Sequence, residues 1–215
     1  MEKHLNVVQK KGTIFTVSSS PSVVYGERII RDSGRFLREW KPERSKLSAL
    51  YHKNNWAFPF RESSRVLYLG AASGTTVSHI SDIVSSGMVY AVESSYDPFI
   101  KLLRLAEQRG NIIPILEDAR MVEKYGFMVE NPDIIYQDIS QRDQVSIFNN
   151  AVSAWKSIHH GFLVLKIRSI SFSTDEEKVV RESISALKGM KVVSVTDLQP
   201  FHSGTRIIYM ERTLA

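Results

Sequence analysis

Gly70-Ala71-Ala72-Ser73-Gly74-Thr75-Thr76 is a run of small residues between a short apolar segment, 65–69, and an amphipathic one, 75–85. Backbone of this kind lets a ligand approach closely, with Gly70 at the tight turn. Glu93 ends the next apolar segment about 20 residues on, the register at which a carboxylate accepts hydrogen bonds from a ribose diol. Asp118 follows the third such segment in the same way. The loop lacks both the G-x-G-x-x-G spacing of dinucleotide binders and the lysine of a P-loop, so two phosphate-binding readings weaken together. A glycine loop, a ribose acid and a further Asp suit a nucleoside ligand with no phosphate, a description that S-adenosylmethionine meets. Taken one at a time, the same residues also make a tight strand-to-helix turn and solvated strand-end acids; their joint placement favours the ligand.

The frame for these residues is legible in the hydropathy pattern. From Ser45 onward the chain alternates: a helix carrying Leu47, Leu50 and Tyr51, then strand 65–69, helix 75–85, strand 88–93, helix 98–108, strand 111–116, a short helix 119–125, strand 133–137, helix 143–155, strand 162–167, helix 175–187, and two closing runs, 191–195 and 206–210. Residues 56–60 read as a packed connector. The alternation predicts an α/β fold, a mostly parallel seven-stranded sheet with helices on both faces. Ligands bind such sheets beyond the carboxyl ends of the strands. Ahead of it, segments 13–17, 23–30 and 35–40, punctuated by Ser-Ser-Ser-Pro and Asp-Ser-Gly, predict a small antiparallel unit. The expected division is residues 1–43 for that unit and 44–215 for the larger domain.

Composition narrows the functions. The 215 residues are 43% hydrophobic and 24% charged, ordinary for a globular chain that buries a sizeable core. Lys and Arg number 28 against 23 Asp and Glu, a net charge of +5 that favours an anionic partner without naming it. The absence of cysteine excludes disulfides, thiol catalysis and Cys-ligated metals. Neither a signal-peptide core nor the roughly 18 apolar residues of a membrane span is found, so a soluble, cytoplasmic protein with no membrane contact is expected.

Leu67-Tyr-Leu-Gly-Ala-Ala-Ser-Gly-Thr-Thr-Val-Ser-His-Ile-Ser-Asp82 resembles, almost residue for residue, the cofactor loop of the fibrillarin family, the 2′-O-methyltransferases of box C/D ribonucleoproteins. The resemblance continues through Val24-Tyr-Gly-Glu-Arg28, Arg44-Ser-Lys-Leu47, Asn111-Ile-Ile-Pro-Ile-Leu-Glu-Asp-Ala-Arg120 and residues 138–144, in family order. It implies a Rossmann-like methyltransferase fold in the compact archaeal form, without the Gly/Arg-rich extension of eukaryotic members. It further implies contacts to S-adenosylmethionine from Thr75, Thr76, Glu93, Ser94, Asp118, Ala119, Asp138, Ile139, Ser140 and Gln141. The implied activity is RNA-guided ribose 2′-O-methylation of rRNA and tRNA. The implied partners are a box C/D guide RNA, the target RNA, a Nop-domain scaffold protein and a kink-turn-binding ribosomal-type protein.

Methyl transfer to a ribose 2′-oxygen needs a positioned hydroxyl and a place for its proton. Lys166 interrupts an apolar run, Phe162-Leu-Val-Leu165 before it and Ile167 after it, and Asp138 follows the strand at 133–137, so both are expected in one crevice. With Lys46 they resemble three members of the family's Lys-Asp-Lys-His tetrad. Lys166 is expected to accept the proton or orient the hydroxyl, Asp138 to hold Lys166, and Lys46 to contact phosphate or ribose. The tetrad histidine falls on Thr205, with His202 three positions earlier, and Ile139-Ser140 stands for the family's usual Val-Ala. His79 is expected to pack or to lie at the surface, and His159-His160 has no partner at metal-ligand spacing, so no metal site is expected. Lys41, Arg44, Lys46, His52 and Lys53, with Arg168, form a basic run that either tracks an RNA backbone or is a solvated helix face. A catalytically silent subunit of an RNA complex, or a methyltransferase of protein or small molecules, are the alternatives; a nicotinamide oxidoreductase is disfavoured by the missing fingerprint.

Overall fold

The structure, a computed structural model, describes residues 6–53, 58–170 and 175–213; the start of the connector expected at 56–60 lies outside them. Four strands open the chain, β1 (Val7–Lys10), β2 (Thr13–Ser18), β3 (Ile29–Asp32) and β4 (Arg35–Glu39), as an antiparallel sheet in the order β1-β2-β4-β3. Then follow α1 (Lys46–Lys53), β5 (Arg65–Leu69), α2 (Thr75–Ile83), β6 (Met88–Glu93), α3 (Tyr96–Glu107), β7 (Ile112–Leu116), α4 (Val122–Tyr125) and β8 (Ile134–Gln137). The chain closes with α5 (Gln144–Ala154), β9 (His160–Lys166), α6 (Ile167–Ile170), α7 (Glu176–Ala186), β10 (Lys191–Asp197) and β11 (Thr205–Glu211).

The seven later strands form one sheet in the order β10-β11-β9-β8-β5-β6-β7. Strands β5 to β9 pair in parallel, and only β11 runs against its neighbours. Alternate residues of a strand face opposite sides, so the apolar run of β5 divides between two cores: Val66 and Tyr68 join the cluster under α2, Leu67 and Leu69 the one under α5. The chain moves outward from β5 through β6 to β7, then returns to β8 on the other side of β5. That reversal opens a crevice between the carboxyl ends of β5 and β8, where Gly70 and Asp138 sit.

The N-terminal sheet shares the core of the large one, since Val7, Ile14 and Trp40 belong to the cluster containing Val66 and Val77. A buried polar network joins the two. Arg38, fully shielded from solvent, pairs with Glu27 at 2.6 Å and with Asp82 of α2 at 2.7 Å, and Arg109 reaches the other oxygen of Asp82 at 2.6 Å. Removing one partner of a buried pair strands the other charge, which typically costs about 3–5 kcal/mol.

Several expected elements are corrected. The strand expected at 23–30 is confined to β3 because the Glu27 carboxylate takes the amides of Val24 and Tyr25, the donors a ladder would need. Strand β1, not anticipated, pairs with β2. The helix expected from residue 119 begins at Val122, since the Arg120 amide is held by the Asp118 carboxylate. Strand β9 ends at Lys166, and Ile167 opens the short α6 instead. Among the described residues no helix is long and apolar enough to cross a membrane.

Candidate active site

Three chain segments converge on one carboxylate. Asp138 leaves the end of β8, Lys46 is the first residue of α1, and Lys166 is the last of β9. Lys46 Nζ lies 2.9 Å from Asp138 Oδ2, and Lys166 Nζ 2.6 Å from Oδ1. Lys166 also donates to Ser140 Oγ at 2.8 Å and to the Asp138 carbonyl at 3.3 Å. Burial alone would raise the Asp138 pKa, but the two ammonium groups outweigh it and hold the carboxyl below its ordinary range. The three side chains remain 13–21% exposed, enough for a substrate to touch them.

Beside this trio is a cleft of about 300 Å³ at the carboxyl ends of β5 to β8. Gly70, Glu93, Ser94, Asp118, Ala119, Asp138, Ile139, Ser140, Gln141 and Lys166, all singled out from sequence, line it together. Gly70 permits the arrangement: its φ is +83°, and a Cβ there would stand 2.6 Å from the Asp138 carbonyl oxygen. Glu93 is fixed by two loop amides, accepting from Ala72 N at 2.8 Å and Ser95 N at 2.7 Å. Arg120, which sequence reasoning missed, pairs with Asp118 at 3.0 Å and Asp143 at 2.8 Å, bracing one wall. The acids Glu93, Glu117, Asp118 and Asp138 outnumber the cations Arg120 and Lys166 along the lining. Such a donor set suits a ribose diol and a cationic group and repels phosphate. Two other sequence candidates lie apart from the cleft: Thr75 lines a separate cavity outside the glycine loop, and the Thr76 hydroxyl donates to Ser45 Oγ at 3.1 Å.

A family model described as Fibrillarin matches residues 3–213. The chain belongs to the fibrillarin family. A relative from Picrophilus torridus, named fibrillarin-like rRNA/tRNA 2′-O-methyltransferase, is 48% identical over 200 residues, spanning 93% of this chain and 94% of its own. A fibrillarin solved in complex with Nop5p superimposes with a TM-score of 0.89 at 41% identity, covering 97% of this chain and 98% of that one. Aeropyrum pernix fibrillarin, solved with natively bound S-adenosyl-L-methionine, gives a TM-score of 0.85 at 38% identity, covering 92% of this chain and 88% of that one.

Within this fibrillarin fold, the position that the resemblance assigns to a histidine is Thr205, the cross-strand neighbour of Lys166. Its hydroxyl contacts the Ser203 carbonyl at 3.4 Å. His202 Nε2 lies 2.8 Å from the Pro42 carbonyl. Burial lowers the His202 pKa and Lys46 pushes the same way, while the Pro42 carbonyl and Asp138 oppose. His79 packs: it is wholly buried, bonded to Thr16 and Tyr25 and stacked on Trp40. The basic run divides, with Lys46 turned to Asp138 and Arg44 placed over the Tyr25 ring at 5.5 Å.

Proposed function

We propose that the protein methylates ribose 2′-hydroxyls of rRNA and tRNA from S-adenosylmethionine, within a box C/D ribonucleoprotein whose guide RNA selects the target. The observation that carries this reading is the Asp138 carboxylate held between Lys46 and Lys166 at the rim of an acid-lined nucleoside cleft. When bound, the cofactor supplies an electrophilic methyl group on a positively charged sulfur. Glu93 would receive the ribose diol, Asp118 and Ala119 would bound the base, and residues 138–141 with Gly70 would form the floor.

Lys166 donates to the Asp138 carbonyl and to Ser140 Oγ and forms an ion pair with Asp138 Oδ1. Such a lysine holds Asp138 in place; the group facing substrate as a base is the Asp138 carboxylate. A carboxylate held below its ordinary pKa is a weak base, and a weak base suffices here. The attacking oxygen gains positive charge as its bond to carbon forms and becomes far more acidic than a carboxylic acid, so the proton passes late to Asp138. Lys46 and Lys166 keep that carboxylate ionised and aimed, and Lys46 also faces the phosphate of the target strand. Orientation supplies most of the rate.

The Nop5p complex of a relative supports a Nop-domain scaffold as partner. The guide RNA and a kink-turn-binding protein complete the assembly, and its proposed place of action is the cytoplasm. The test is transfer of labelled methyl to a guide-matched RNA by the assembled complex, alongside Asp138→Ala. Label at one ribose, lost in that variant, is the expected result. An assembled complex that binds cofactor but transfers no label would overturn the reading in favour of a silent subunit.

A further inference from the structure

A second cavity, of about 320 Å³, opens on the outer side of the glycine loop. Its walls come from four segments: Tyr25 of the N-terminal unit, Arg44 just before α1, Ser73 and Thr75 where α2 begins, and Lys101 and Arg104 of α3. Lys101 and Arg104 stand one turn apart on the same helix face. No acid lines this cavity, and among the described residues no carboxylate forms an ion pair with Arg44, Lys101 or Arg104. The Tyr25 ring beneath Arg44 is itself fixed, its hydroxyl donating to the Glu39 carbonyl at 3.0 Å and meeting His79 Nε2 at 2.8 Å.

The cavity and the trio are neighbours along the chain in two places. Ser73, on its wall, is next to Ala72, which lines the cofactor cleft. Arg44 is two residues from Lys46, a reach of at most about 7 Å along the chain, and Lys46 grips Asp138.

We infer that this cavity takes phosphodiester groups of the RNA strand flanking the target nucleotide, an inference that rests on the RNA-methylation reading above. A strand whose target sugar lies at Asp138 meets Lys46 and then Arg44. The three cations clustered there, without an acid of their own, neutralise consecutive phosphates. An acidic protein surface would also be attracted, but the position of Arg44 two residues from Lys46, which grips Asp138, favours the substrate strand.

The test uses Lys101→Ala, Arg104→Ala and Arg44→Ala, singly and together, with Arg104→Lys as the charge-retaining variant. Binding of the full-length protein to a labelled single-stranded RNA is measured against salt, and methyl transfer by the assembled complex against RNA concentration. Each lost contact is expected to lower the salt slope by about 0.7 and to weaken RNA binding about fivefold at 0.1 M salt. The RNA KM should rise with kcat unchanged, Arg104→Lys should restore both, and cofactor affinity should stay at the parental value as proof of folding. Variants that fold and keep the parental slope and KM would overturn the inference even if the parent methylates RNA. Intact RNA binding with loss of the scaffold protein would overturn it too, assigning the cavity to a protein partner. A parent that binds RNA but transfers no methyl refutes the activity alone, and the salt slope still decides the site.

Discussion

Replacing Gly70 with alanine brings two independent costs to one position. An alanine at φ +83° sits in the left-handed region, which costs about 1–2 kcal/mol. Its Cβ would stand 2.6 Å from the carbonyl oxygen of Asp138 and 3.0 Å from the carbonyl carbon, where ordinary contact starts at 3.4 Å. Both atoms are backbone, so the segment after β8 must retreat by about 0.8 Å, and overpacking of that kind costs about 1–3 kcal/mol. The expected loss is about 2–5 kcal/mol, or roughly 5–20 °C in Tm for a chain of this size. The retreat carries Asp138 out of register with its two lysines, and a displacement near 1 Å is worth about a hundredfold in turnover. Gly26 supplies the control: its φ is +87°, yet nothing lies within 4 Å of its Cβ position. Gly26→Ala should therefore show the backbone cost of about 1–2 kcal/mol with turnover unchanged. Thermal unfolding and initial rates at saturating cofactor measure both quantities. If Gly70→Ala matches Gly26→Ala in stability and rate, the contact between the glycine loop and Asp138 has no role in building the site.

The remaining predictions concern titration and the walls of the cleft. The Asp138 pKa is lowered in the folded state, so its ion pairs contribute fully above the ordinary carboxyl value of 3.8 and are lost as pH falls below it; Asp138→Asn should flatten the acid limb of stability in that window, read by denaturant unfolding. His79 is pushed far below 6.5, by burial first and then by Arg38 and Arg109. It stays neutral when folded but takes up a proton when unfolded, so stability should decline below pH 6.5 by up to about 1.4 kcal/mol per pH unit, a slope that His79→Gln should reduce. Ser140→Ala deletes one of the three partners of Lys166; a hydrogen bond worth about 1 kcal/mol implies roughly a fivefold loss of kcat, and an unchanged kcat would show that Ser140 is a bystander. Arg120→Ala removes the brace between Asp118 and Asp143 and should speed cofactor dissociation, measured by stopped flow, with the catalytic step under saturation intact.

Strands β5 and β6 were legible to the residue because their apolar runs are buried on both faces and bounded by turn formers. Glu93 and Lys166 were legible for a related reason, as charges at the ends of such runs. Arg38 was not. It lies in a short strand of mixed polarity, where a charge ordinarily meets water, and its burial depends on Glu27 and Asp82, which only the folded chain brings to it. The same partner explains the misread strand at 23–30, because Glu27 takes the local amides while held by Arg38. Arg120 escaped notice because its two acids come from different connections, and the Ser140 contact because its lysine is 26 positions away. The fourth tetrad position stays unresolved by sequence for the same reason: His202 and Thr205 differ by where a loop turns, and the family pattern does not encode that.

The bond between Lys46 and Asp138 spans 92 positions of chain, and this sets a schedule for the newborn protein. At about 5–20 residues per second, the ribosome delivers Asp138 roughly 5–18 s after Lys46. The four-stranded N-terminal sheet has every strand it needs long before then. Lys46 emerges early, as an unmatched cation, and waits for Asp138, whereas Arg38 follows its partner Glu27 and waits only for Asp82. A nascent chain in that interval carries Lys46 without the carboxylate that it later grips. The cluster of Lys46, Asp138 and Lys166 is thus complete only when β9 delivers its terminal lysine.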